Sequence, residues 1–159
     1  GYTSRLHYLR DWIHENEKNG VLKNITPDLG GVQTEKTVNF MSTHPKSYKH
    51  LKDSPENVQK IKVIEDSINS RNDYIIIPKA SIKNIEKDIR NGDIVAFATT
   101  IGGLDYSHVG IAYWVGTQLR FIHASSSAKK VVQDTRTISA YCNSLKSCSG
   151  IAVLRINDK

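Results

Sequence analysis

Two histidines fifteen positions apart, in Ser107-His108-Val109-Gly110-Ile111 and Phe121-Ile122-His123-Ala124-Ser125, carry residue types that can do chemistry together. An imidazole can take a proton from a nucleophile, and a second imidazole can orient the first. A base with an orienting partner makes two thirds of a nucleophilic triad; the remaining third is the nucleophile itself. The pattern around them reads as a β-hairpin: Val109 to Val115 is one apolar run, Gly116-Thr117 a turn signal, and Gln118 to Ala124 a second run. A tight turn centred between Gly116 and Thr117 sets Gly110 opposite His123 and Ser125 opposite His108. The two histidines then share a face as diagonal neighbours, with backbones roughly 7 Å apart. Gly110 has no side chain, which leaves His123 room to lean toward His108.

The elements that must hold this hairpin are legible in outline. Thr3 or Ser4 can cap a helix to about Asn19, with Leu6, Leu9, Trp12 and Ile13 on one face and Gly20 as its stop. Thr26 to Gly31 reads as a long loop, and Thr37 to Met41 alternates like a short strand. Ser54-Pro55-Glu56 is a strong helix start, followed by a stripe of Val58, Ile61, Ile64 and Ile68. Strands follow at Asp73–Ile77 and Ile94–Ala98, with a short helix opened by Ser81 between them. After the hairpin come a strand near 130–133, a helix near 138–145 and a last strand at 151–156. Mostly consecutive strands with short turns favour an antiparallel sheet, hence an α+β fold in a single domain over residues 1–159.

Composition narrows the function classes. A 38% hydrophobic and 24% charged chain fits a globular protein, and no apolar run approaches the roughly 18 residues of a membrane helix. The net charge of +6 comes from scattered lysines, without the basic clusters and stacking aromatics of a nucleic-acid binder. That charge suits a solvated surface or attraction to an anionic envelope polymer. No His, Asp and Glu set has convincing zinc spacing, so neither a metal nor another cofactor is expected. Cys142 and Cys148 are either two thiols or one short disulfide loop.

Three segments in order resemble the NlpC-type cell-wall peptidases, a papain-like superfamily: Gly92-Asp93-Ile94-Val95-Ala96-Phe97, His108-Val109-Gly110-Ile111 and Ile122-His123-Ala124-Ser125. Further segments resemble its N-acetylmuramoyl-L-alanine amidase-like branch, among them Tyr2-Thr3-Ser4-Arg5-Leu6-His7-Tyr8, Asp11-Trp12-Ile13, Val38-Asn39-Phe40-Met41, Gly103-Leu104-Asp105 and Gly150-Ile151-Ala152-Val153-Leu154-Arg155. The resemblance implies an antiparallel sheet packed against helices. It also implies amide hydrolysis in peptidoglycan or muropeptides by a Cys-His-His mechanism, in the periplasm or outside the cell.

In the branch, the nucleophilic cysteine opens a helix upstream of the segment matching Gly1-Tyr2, and no residue of this sequence matches it. The expectation is therefore a carboxyl-terminal part of a longer protein. Its partner is its own amino-terminal segment, its apolar sheet surface is uncovered where that helix is missing, and it has no activity alone. His108 is expected as general base and His123 as its orienting residue. Arg5, His7 and Tyr8 belong to a segment that follows the nucleophile closely in the branch, so they are expected to bind substrate. Arg5 is suited to hold a carboxylate. Asp105, three residues before His108, is expected to face substrate or stiffen its loop, and Ser125 to be a hydrogen-bonding neighbour of His108. Two alternatives differ in kind. One is a non-catalytic module that holds peptidoglycan; the other is a circularly permuted or acyltransferase-like relative that uses Cys142.

Overall fold

The computed structural model describes residues 1–5 and 7–158. Its sheet runs β2 (Val32–Gln33), β3 (Ile75–Pro78), β8 (Cys148–Ile156), β4 (Ile94–Thr99), β5 (Tyr106–Val115), β6 (Gln118–Ser125) and β7 (Lys130–Gln133). β1 (Leu22–Asn24) pairs with the far end of β8, and every ladder is antiparallel. The helices are α1 (Leu9–Lys18), α2 (Phe40–Thr43), α3 (Pro55–Asn69), α4 (Ile82–Ile85) and α5 (Ile138–Ser144). The α+β class expected from the strand order is what the chain adopts.

β4 and β8 are central because their apolar runs leave no polar face to solvent. Val95, Phe97, Phe121, Ile151 and Val153 fill one side with Ile82, Ile89, Ile138 and Cys142. Ala96, Ala98, Ala152 and Leu154 fill the other under Ile13, Leu9 and Trp12 of α1. α3 begins as its residues foretell: Ser54 Oγ accepts the Asn57 N–H at 3.2 Å and Pro55 takes the first turn. Its stripe packs Ile61 and Ile68 inward, with Val58 and Ile64 partly covered.

Three local expectations differ from the structure. α1 starts at Leu9, not near Thr3, because Tyr8 is extended and the Arg10 N–H is taken at 2.9 Å by Asp105, 95 residues away in sequence. The cap is tertiary, so local sequence does not reveal it; Tyr2–Ser4 form only a 3-10 turn. Leu6, assigned to the inward helix face, lies outside the described residues. Around Val38 the expected strand reduces to one parallel bridge to Gly103, since the Asn69 amide brackets Val38 N and O at 2.8 and 2.9 Å. Finally, β1 and β2 flank the Thr26–Gly31 loop at positions for which no strand is expected; Thr26 Oγ1 accepts the Val153 N–H at 2.8 Å and ties that loop to β8.

Candidate active site

His108 and His123 converge as the hairpin register requires. β5 and β6 pair from Val115↔Gln118 to Ile111↔Ile122, the register that sets Gly110 against His123. Beyond Ile111 the ladder stops, and the two imidazoles lie past its end. His108 Nε2 is 2.7 Å from His123 Nδ1, with the rings edge-on at 89°. A register shift in the β4–β5 ladder sets Phe97 opposite His108 and Ala98 opposite Tyr106, leaving Ser107 as the extra residue. Such a bulge re-aims a side chain. Here it puts His108 on the Phe97 face while Tyr106, two residues earlier, enters the opposite layer.

Gly110 is required by close approach. A Cβ there would lie 2.7 Å from Phe121 Cδ2 and 2.9 Å from the Ile122 carbonyl oxygen, and would press on His123 Cβ at 3.4 Å. Gly110→Ala is expected to cost about 1–3 kcal/mol in urea unfolding by overpacking. It should also weaken the His108–His123 contact, visible as a changed His108 Nε2 chemical shift in ¹⁵N NMR.

His123 continues outward. Its Nε2 is 2.9 Å from Asp134 Oδ2, and both residues are buried. Arg136 closes the series with a two-pronged grip on Asp134, Nε to Oδ1 and Nη2 to Oδ2, each at 2.9 Å; its own backbone N–H donates to Oδ1. The guanidinium hydrogen bonds hold the Asp134 carboxyl well below the usual carboxylate range. Burial, and next the neighbouring His123, lower the His108 pKa, with Asp134 pulling the other way. Tyr141 of α5 packs against both rings, 5.8 Å from His108 and 5.6 Å from His123, and lies 4.9 Å beneath the Arg136 guanidinium. The adjacent Cys142 is bonded to Cys148, which pins α5 to the start of β8.

Sequence reasoning misses Asp134, Arg136 and Tyr141. A signal exists for the first: Asp134 directly follows the strand pairing with β6, and its N–H bonds Phe121 O, two residues from His123.

The imidazoles border an apolar cleft of about 940 Å³ between the sheet, the amino-terminal segment and the Met41 and Tyr48 loops. His7 and Tyr8 line it, as do His108 and His123. Tyr8 contributes ring surface only, because its hydroxyl donates to buried Glu65 Oε2 at 2.6 Å and accepts the Met41 N–H. Arg5 is exposed, its guanidinium 5.7 Å from the Tyr2 ring, which lies 4.6 Å from both the His7 and His50 rings.

Two expected site residues stand differently. Asp105 is buried, and both its oxygens are engaged, by Arg10 N at 2.9 Å and Tyr106 N at 2.7 Å. It stiffens the loop and caps α1 instead of offering an oxygen to substrate; its pKa is raised by burial, against those N–H donors. Ser125 is held in the β6–β7 turn, bonded to Ser127 Oγ and Ala128 N, and does not wall the cleft. Cys142 as nucleophile is overturned, since its sulfur is bonded to Cys148 and fully buried. Val109, Ile111 and Val131, which line the same cleft from the sheet, are 42%, 48% and 69% exposed.

Comparison with known proteins finds a match over residues 1–150 to the family model described as AmiA-like, N-acetylmuramoyl-L-alanine amidase-like. A crystal structure of an N-acetylmuramoyl-L-alanine amidase from Bacteroides uniformis is similar at 39% identity and a TM-score of 0.93, covering 99% of this chain and 67% of that one. A candidate xylanase from Bacteroides fragilis is similar at 40% identity and a TM-score of 0.92, covering 98% and 68%. A Legionella pneumophila protein at 21% identity and a TM-score of 0.72 shares the fold, covering 99% and 64%. A search of curated protein sequences finds no match.

Proposed function

Because this chain belongs to the N-acetylmuramoyl-L-alanine amidase-like family, we propose that it supplies the base and the orienting imidazole for cysteine-dependent hydrolysis of an amide bond in peptidoglycan or muropeptides. The observation that carries this reading is the 2.7 Å contact between His108 Nε2 and His123 Nδ1. It leaves His108 Nδ1 without a hydrogen bond among the described residues. In the proposed reaction His108 Nδ1 takes the proton of a thiol contributed from outside these 159 residues, and the sulfur adds to the amide carbon. The leaving amine departs with that proton, and water then cleaves the thioester with His108 again as base. Both cysteines of this chain are tied to each other, which is why the thiol is assigned elsewhere. The bare Val109, Ile111 and Val131 side chains line the sheet wall of this same cleft and fit cover by a helix from that region, which would fill that part of the cleft; these 159 residues alone are then inactive.

Arg5 and His7 are assigned to the substrate. The His7 imidazole lines the cleft, and the exposed Arg5 guanidinium lies 5.7 Å from the ring of Tyr2, another lining residue; the pair is suited to a carboxylate of the stem peptide. A disulfide accords with the cell envelope or exterior, where such bonds persist. Among the described residues no helix is long and apolar enough to cross a membrane. A glycosidase of the usual kind needs two carboxyl groups across the scissile bond. Among the described residues the one acid on the cleft wall is Asp105, whose oxygens are occupied, so amide chemistry fits the site better.

The test is turnover of purified muropeptides by the full-length protein, with and without iodoacetamide. Release of free amine, abolished by alkylation, is expected, and these 159 residues alone should release none. Binding without cleavage would support the alternative of a peptidoglycan-holding module, and cleavage indifferent to alkylation would remove the thiol.

A further inference from the structure

We infer that Asp134 sets the proton positions of both imidazoles, leaving the basic lone pair on His108 Nδ1, and that Arg136 keeps Asp134 able to do so. This inference rests on the proposed role of His108.

An ionised carboxylate can only accept hydrogen bonds, and a neutral imidazole carries one N–H. With Asp134 Oδ2 at 2.9 Å, His123 Nε2 must be the protonated nitrogen. His123 Nδ1 is then an acceptor, and its partner at 2.7 Å, His108 Nε2, must donate. The proton of His108 is thereby placed on Nε2, and Nδ1, without a hydrogen bond among the described residues, is left bare. One carboxylate thus determines a tautomer two residues along the chain of hydrogen bonds. Were the His123 proton on Nδ1, His108 Nε2 would have to accept and its base nitrogen would be blocked.

The surroundings fit this role. Phe121 stacks on His123 at 4.3 Å and Tyr141 lies against both rings, so neither imidazole can rotate to another partner without displacing an aromatic ring. The charged and titratable groups facing the pair are Asp134, Arg136 and the Tyr141 phenol. The Arg136 grip occupies both Asp134 oxygens while leaving Oδ2 a lone pair for His123. Asp134 is buried and lies outside the cleft lining, so it acts through His123 as a positioning residue.

The test reads tautomers directly, by long-range ¹H–¹⁵N NMR of the histidine rings in the full-length protein at pH 8, beside steady-state kinetics. Both His108 and His123 should be Nε2-protonated. Asp134→Leu should scramble His123 and lower kcat on the order of 10²–10⁴-fold, as misplaced tautomers do in other triads, with KM little changed. Asp134→Asn keeps an acceptor oxygen without the charge and should lose less. Its acid limb should move to lower pH, because the Asp134 charge raises the His108 pKa. Nδ1-protonated His123 in the unmodified protein would overturn the inference. So would unchanged tautomers and kcat within about twofold in Asp134→Leu. If Asp134→Leu does not fold, the unmodified spectrum and Asp134→Asn decide. Turnover surviving His108→Ala would sink the base assignment itself, an outcome the tautomer spectrum keeps separate.

Discussion

Replacing His108 with alanine in the full-length protein is expected to lower amide hydrolysis by about 10³–10⁶-fold while leaving the fold intact. The size follows from the behaviour of nucleophile–base units, where losing the base costs nearly as much as losing the whole set. The fold should survive because the His108 side chain is half-exposed and its hydrogen bond is to another side chain. Chromatography of released muropeptide products, beside circular dichroism, would check both halves. The pH dependence has a definite sign. A base works deprotonated, and burial lowers the His108 pKa from its ordinary 6.5. The acid limb of kcat/KM should therefore lie below 6.5, and it should vanish with His108. Turnover near the unmodified rate in the alanine variant would strike His108 from the mechanism.

Phe97→Ala is expected to cost about 3–5 kcal/mol, a large share of a typical domain's 5–15 kcal/mol. Phe97 is fully buried in the central strand and touches the rings of Phe121 at 5.3 Å, Tyr141 at 4.8 Å and His108 at 6.1 Å. Its loss opens a cavity beneath the imidazole pair, which the rigid sheet can only partly close. Urea unfolding should show a lower midpoint at unchanged slope. Val131→Ala, at a side chain 69% exposed, is the control and should stay within about 0.5 kcal/mol. A Phe97→Ala midpoint equal to the control's would mean that this aromatic cluster does not hold the sheet together.

The hairpin and its two histidines were legible because every step was local. An apolar run, a Gly-Thr turn and a glycine opposite His123 are enough to define a register. The same holds for α3, whose Ser54 cap and proline sit beside the residues they serve. What escaped depended on partners far apart in sequence. The start of α1 is determined by Asp105 and the conformation at Val38 by Asn69, both invisible to periodicity. For the same reason the sequence leaves Asp105 between stiffening its loop and facing substrate, since nothing nearby tells that the Arg10 N–H occupies it. Asp134 and Arg136 were missed although they stand two apart, because their meaning comes from the strand pairing that carries Asp134 to His123. Cys142 and Cys148 could not be assigned from spacing alone, and only packing of α5 on β8 joins them.

That crosslink has a consequence for how firmly the imidazole pair is walled in. The loop it closes is short, so the restraint it places on the unfolded chain amounts to only about 2 kcal/mol. Its larger effect is local: it joins α5 to the start of β8, so that Tyr141 beside Cys142 is held as a fixed wall of the imidazole pair. Reduction is therefore expected to loosen that wall while leaving the paired strands of the sheet in place.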